Sequence, residues 1–304
     1  MDNVCHTLVG AAIGRAGLSQ RTRFGGAALM VAANLPDLDV LVFATDIPSV
    51  AFRRGWTHGT LAQICLPVLL TGIFYLIDRM RPDRSGTGSV RVSAMLLLSS
   101  VGVISHVALD WLNNYGVRLL MPFDNRWFYG DTLFIIDPWL WLTLGLGVWL
   151  TRRRTGDPGP ARRALLIATA YIVVMCISAQ MARSIVSEAW RAEHGSAPLS
   201  YMVGPVPVTP LRREVIVDAG THYTRGTFTW FPMQVTFDSS GTPKHDDDPA
   251  VAQAKEAPGF RGFLVWSRFP FWTVERTASG THVAVGDMRF VGRGQPFVQS
   301  MTVR

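Results

Sequence analysis

The sequence predicts an α-helical polytopic membrane domain of about five to six helices over residues 1–185, followed by a small β-rich extracytoplasmic domain over residues 190–304. Three observations predict it. Hydrophobic residues make up 48% of the chain against 17% charged, and mean hydropathy is +0.21, high for a soluble protein. Several nearly uncharged windows reach the roughly 17–25 residues that a bilayer crossing needs. Past about residue 190 the apolar runs give way to short β-branched and aromatic segments between Gly turns.

The elements follow in chain order. Val4–Leu18 reads as a short helix that enters the membrane without necessarily crossing it. Asp2 stands where a cleavable signal peptide would carry positive charge, so retention of the N-terminus is expected. Phe24–Phe43 is a weaker span, broken by Asn34-Leu-Pro-Asp-Leu-Asp39. Gly59–Ile77 has no charge. Val92–Ile104 has none either, and its apolar run continues to Leu112 with only His106 and Asp110 inside it. Leu133–Leu150 carries Asp137 alone, and Ala164–Ala182 carries nothing charged. Pro198, Pro205, Pro207 and Pro210 form a linker-like stretch. Beyond it, Glu214–Asp218, Gly226–Trp230, Gly262–Trp266 and Phe297–Val303 are expected as strands, and the polar Thr242–Ala257 as a mobile loop. Cys5, Cys65 and Cys176 are scattered, odd in number and without a CxxC partner, which argues against a disulfide framework and for small buried hydrophobes. No internal repeat is visible.

The net charge of +7 comes from clusters, not from a uniformly basic surface. Arg15, Arg21 and Arg23 form one; Arg79, Arg81, Arg84 and Arg91 a second; Arg152–Arg154 with Arg162 and Arg163 a third. Short basic loops between apolar segments mark cytoplasmic connections, so nucleic-acid binding is not expected. Placing all three inside sends Phe24–Phe43, Val92–Asn113 and Ala164–Ala182 outward, and leaves the C-terminal domain outside.

Six ionisable side chains then fall on the outer side. They are His6, Asp37, Asp39, His58, His106 and Asp110. Such groups are costly in apolar surroundings and persist there by pairing or by binding a cation. His106 and Asp110, four residues apart, share one helix face. Each also has a plain explanation: an interfacial histidine for His6, helix caps for Asp37, Asp39 and His58, a satisfied buried pair for His106 and Asp110. Their gathering at one depth favours a metal site over six separate accidents. In the outer loop, Arg126 is a candidate for gripping an anionic substrate group or for anchoring at headgroups. Asp137-Pro138 reads as a further ligand or as an N-cap with Pro at the first helical position.

Met1-Asp-x3-His6-Thr-Leu-x-Gly10, Ala33-Asn-Leu-Pro-Asp-Leu-Asp39, Arg54-Gly-x-Thr-His58, Ser105-His106-x3-Asp110 and Tyr115-Gly-x3-Leu-x-Pro-Phe123 resemble the YdjM/YbcI-like inner-membrane proteins, predicted membrane-bound metal-dependent hydrolases. The resemblance covers about residues 1–183. It implies a bacterial inner-membrane location and a metal centre of His and Asp ligands. It also implies a distant similarity to zinc-dependent phospholipase C and the S1/P1 nucleases.

The expected function is therefore a metal-dependent hydrolase at the outer membrane interface. His6, Asp37, Asp39, His58, His106 and Asp110 are the ligands, with Asp37 or Asp39 as general base. Arg126, with Arg53 and Arg54, receives a phosphoester or lipid-like substrate. Zn²⁺ suits the mixed His/Asp set first, with Mn²⁺ or Fe as alternatives, and membrane lipids are the expected partners. The competing reading is a non-catalytic membrane protein with a structural or sensory metal site and a partner-binding β-domain; an open coordination position separates the two.

Overall fold

The computed structural model describes residues 1–81, 88–154, 157–278, 280–291 and 298–303. Arg84 of the second basic cluster, and Phe297 of the last expected strand, lie outside these. The chain divides into two compact units. One comprises Met1–Val40, Arg54–Ser178 and Pro205–Thr209; the other comprises Leu41–Arg53, Ala179–Gly204 and Pro210–Arg304.

The first unit is helical. α1 (Asn3–Arg15) starts because the Asp2 carboxylate accepts from the amides of Val4 and Cys5 at 2.9 and 3.1 Å. α2 (Gly25–Ala32) is followed by a 3-10 stretch, Leu35–Ala44, and the two axes bend by 50°. Pro36 explains the break: it has no amide hydrogen to continue the α-helical ladder of α2. After α3 (Ser49–Phe52), the helices α4 (Thr60–Met80) and α5 (Val92–Trp111) pack side by side. α6 (Pro138–Arg153) has Asp137 as its N-cap, bonded to the amides of Trp139 and Leu140, with Pro138 at the first position. Asp137 is thus a cap, and its second oxygen accepts from the Tyr171 hydroxyl at 2.9 Å. α7 (Gly159–His194) follows.

Among the described residues three helices, α4, α5 and α7, are long and apolar enough to cross a membrane, or four spans if the bent pair counts as one. This corrects the expected five to six. α6 has 16 residues, about 24 Å of rise, and α1 has 13, about 20 Å; the hydrocarbon core is about 30 Å thick. Cys65 also departs from expectation: it is exposed, on the same helix as the exposed Ile64, Val68 and Leu69.

The basic clusters meet at one end of this unit. Arg23 pairs with Asp78 at 2.6 Å and donates to the Arg81 carbonyl at 2.8 Å, and Arg162 donates to the Ala16 carbonyl at 2.9 Å. Arg91 immediately precedes α5, so His106 and Asp110, in its last two turns, lie toward the other end of that helix.

The second unit carries the strands. β1 (Ser200–Pro205), β2 (Arg212–Asp218), β3 (His222–Trp230) and β4 (Met233–Phe237) are neighbours in that order, with β5 (Thr242–Pro243) beside β3. β2 shows period-2 burial on both faces. Val215 and Val217 join Ala182, Val186 and Trp190 of the last turns of α7, while Ile216 joins Met202, Phe269 and Met288. β6 (Pro270–Thr277), β7 (Gly280–Asp287) and β8 (Val298–Val303) form an antiparallel three-stranded sheet.

Two expectations fail here. Gly262–Trp266 is not a strand but the end of α9 (Pro258–Trp266), started by Pro258 and burying Phe260, Phe263 and Trp266 at three-residue spacing. Thr242–Ala257 is not a loop: it forms β5 and α8 (Pro249–Lys255), whose N-cap Asp248 also receives Arg276 at 2.7 Å. The segment Leu41–Arg53 belongs to this unit because α3 lies on α9. A Cβ at Gly262 would sit 2.4 Å from Cβ of Pro48, so only glycine permits the approach.

Asp287 is a buried anchor of this unit, receiving Ser267, the Arg268 amide and the Arg289 guanidinium at 2.7–2.9 Å. Burial alone pushes its carboxyl up, but Arg289 and these hydrogen bonds outweigh it and hold it below the ordinary 3.8. A carboxyl depressed in the fold contributes stability above its unfolded pKa and loses it as pH falls through that value toward the folded one. The melting temperature of the full chain, followed by near-UV circular dichroism, is therefore expected to drop steeply below about pH 4. In Asp287→Asn the drop should be shallower, from a lower neutral-pH value; an unchanged acid limb would assign the loss to other carboxyls.

Candidate metal centre

The helices hold the site by close backbone approach. A Cβ at Gly102 of α5 would lie 2.5 Å from Cβ of Ala32, and one at Gly10 of α1 would lie 2.7 Å from the Leu29 carbonyl. α2 therefore nests between α1 and α5, which brings the Ala33 carbonyl at its C-terminal end to Nδ1 of His106 at 2.8 Å. A carbonyl only accepts, so Nδ1 donates and Nε2 of His106 keeps its lone pair.

Nε2 of His106 faces Nε2 of His58 at 3.1 Å. On the far side of the His58 ring, Nδ1 meets the Thr57 hydroxyl at 3.0 Å and Asp39 Oδ2 at 3.6 Å. Asp110 Oδ2 lies 3.4 Å from His58 Nε2 and 3.7 Å from His106 Nε2, and Asp37 Oδ1 lies 3.8 Å from His106 Nε2. Ligand atoms of Asp37, His58, His106 and Asp110 all fall within 4.8 Å of one another.

This donor set fits a divalent cation. Two imidazole Nε2 atoms facing one another need a proton or a cation between them. Ligands of a tetrahedral Zn²⁺ with bonds of about 2.0–2.1 Å would stand roughly 3.3 Å apart, close to the observed separation. The fully buried His6 ring stacks on His106 with centroids 3.8 Å apart. Neither of its nitrogens makes a hydrogen bond, although Nε2 lies 3.3 Å from Asp110 Oδ1.

The expected residues divide accordingly. Asp37, His58, His106 and Asp110 form the group; His6 lies against it; Asp39 sits behind His58, where its carboxylate also accepts from the Arg54 amide at 2.8 Å. A carboxylate behind a ligating imidazole orients the ring and raises its basicity. Arg126 is not brought to this group: it pairs with Asp124 at 2.6 Å with its side chain 73% exposed. Arg54 reaches it instead. Its guanidinium lies 3.2 Å from Asp110 Oδ2, donates to Asn113 Oδ1 at 3.0 Å and packs over the Tyr115 ring. Arg54 holds this place with a left-handed backbone, φ 55°, a conformation uncommon for a residue with a side chain. Asp110 also contacts the Met1 amino group.

Three contributors had weak signals or none. The Ala33 carbonyl is backbone and invisible in side-chain chemistry. Thr57 sits one residue before His58, inside the Arg54-Gly-x-Thr-His58 motif, and Asn113 three after Asp110; neither side chain by itself points to the group.

Residues 1–182 match the YdjM inner membrane protein family. An uncharacterized protein, YfhP, of Bacillus subtilis (strain 168) is 23% identical over 314 residues, covering 98% of this chain and 90% of YfhP. No solved structure matches. The family match takes in both halves of the bent α2 pair, all three spanning candidates at least in part, and every residue of the His/Asp group. The chain belongs to the YdjM inner membrane protein family.

Proposed function

We propose that the protein is a membrane-bound metal-dependent hydrolase acting on a phosphoester or lipid-like substrate, with its site toward the outer membrane interface. The observation that carries this is the convergence of Asp37, His58, His106 and Asp110 from three separate segments to within 4.8 Å. A divalent cation bound there, Zn²⁺ before Mn²⁺ or Fe, would supply a water ionised near neutral pH and polarise the scissile group.

The chain's own residues supply the rest. The Ala33 carbonyl fixes the orientation of His106, and the Thr57 hydroxyl, with Asp39 behind it, that of His58. The side chain of Asp37 is 11% exposed whereas those of His58, His106 and Asp110 are sealed, so Asp37 is the carboxylate placed to take a proton from an entering water. Of the three arginines expected to receive the substrate, Arg54 is the one beside Asp110, and its planar fork suits a phosphate's oxygens. The outward orientation rests on the three basic clusters gathering away from the His/Asp group.

Detergent-purified protein is expected to carry at least one divalent metal by elemental analysis and to cleave a member of a phosphodiester and phospholipid panel. A reporter enzyme fused to the C-terminus is expected to be active outside the cytoplasm. Metal-free protein that gains none on reconstitution would end this reading. A reporter active only inside would move the site to the cytoplasmic face.

A further inference from the structure

Inside the helical unit, an apolar crevice of about 320 Å³ lies among α1, α5, α6 and α7. Its α1 wall is Val9 and Ile13, three and seven residues beyond His6, so the three side chains form one stripe along the helix. Val9 and Ile13 lie about 4.5 and 10.5 Å past His6 along that axis. On α5 the crevice is lined by Leu109 and Leu112, and Leu109 immediately precedes Asp110. One residue step turns a helix by about 100°, so the lining face adjoins the ligand face. The crevice thus runs from beside the His/Asp group toward the membrane interior.

We propose that this crevice holds one hydrocarbon chain of a membrane lipid whose polar end lies at the His/Asp group. The tail site stands on the crevice alone; its use for substrate rests on the hydrolase reading. Only Ser105 and Thr169 bring side-chain hydroxyls to the lining, and Ser105 already donates to the Gly102 carbonyl at 2.8 Å. A sugar or nucleotide would leave its polar groups unpaired there, whereas hydrocarbon leaves none. The volume is at the low end for ligand pockets, which span about 300–1,000 Å³, and suits a single chain better than a whole two-chain lipid. Hydrocarbon is also what surrounds the unit, since α5 and α7, which line it, are two of its membrane-spanning candidates.

The test adds palmitoyl and hexanoyl lysophosphatidylglycerol to the full chain in detergent and counts bound molecules by native mass spectrometry, with metal content and hydrolysis measured in parallel. The palmitoyl lipid is expected to bind one to one and at least about tenfold more tightly than the hexanoyl form. Ala168→Phe, filling the crevice from α7, should abolish that preference and leave the metal in place. If this variant does not fold, Ala108→Leu narrows the crevice from α5 and should act the same way. Equal binding of both lipids, or a preference that survives either folded variant, overturns the tail site. Chain-dependent binding without cleavage of any phosphoester would uphold the crevice and count against the hydrolase reading alone.

Discussion

His106→Ala is expected to strip the metal almost completely and to abolish turnover. His106 presents Nε2 to three partners, His58 at 3.1 Å, Asp110 at 3.7 Å and Asp37 at 3.8 Å, and it is oriented by the Ala33 carbonyl. Alanine removes one of the two facing imidazoles and leaves a buried void beside Asp110 and Asp37, which water must fill. Elemental analysis should find the metal reduced at least tenfold, with unchanged helix content by far-UV circular dichroism. Retention of metal by a folded His106→Ala protein would shift the centre away from α5 altogether.

Asp37→Asn and Asp39→Asn are expected to differ in kind. Asparagine keeps the shape of aspartate but loses the charge and cannot take up a proton at neutral pH. Asp37 is both a member of the ligand group and the open carboxylate of the four, so Asp37→Asn should lower the hydrolysis rate by about 10²–10⁴-fold and weaken the metal as well. Asp39 stands behind His58, against its ring, the Thr57 hydroxyl and the Arg54 amide. Its loss should weaken metal affinity by about 10–100-fold, and excess metal should restore most of the rate. Metal titrations of both variants against a hydrolysable phosphodiester separate the two roles. Full activity without added metal in both variants would reduce these carboxylates to helix-terminus partners.

The spanning candidates α4, α5 and α7 were legible because an 18-residue apolar window has few alternative explanations in a chain of this composition. α6 was not, because the boundary depends on the cap: Asp137 and Pro138 start the helix five residues later than the apolar run at Leu133 begins, and that shortens it below a bilayer's thickness. Gly262–Trp266 was misread for a related reason. A short apolar run suits strand or helix equally, and Pro258, four residues upstream, decided it by starting a helix. The acidic run at Asp246–Asp248 looked like a solvated loop, yet Asp248 caps α8.

Within the site, side-chain chemistry at the right hydropathic depth was enough to identify His58, His106, Asp110 and Asp37, since a buried charge has no inexpensive explanation but a partner. The division of labour between Asp37 and Asp39 was not readable, because two residues flanking one leucine differ by a rotation that only the 50° bend after α2 determines. Nor was it readable which of the three expected arginines, Arg53, Arg54 or Arg126, comes to Asp110; Arg54 does so from a left-handed backbone at residue 54. The sequence by itself determined a membrane protein with a buried His/Asp group, because hydropathy and desolvation act residue by residue. The tertiary structure alone decided which side chains converge, which carboxylate stands behind which ring and which arginine meets Asp110. Those depend on distances between segments that only packing, through close approaches such as Gly102 against Ala32, can set.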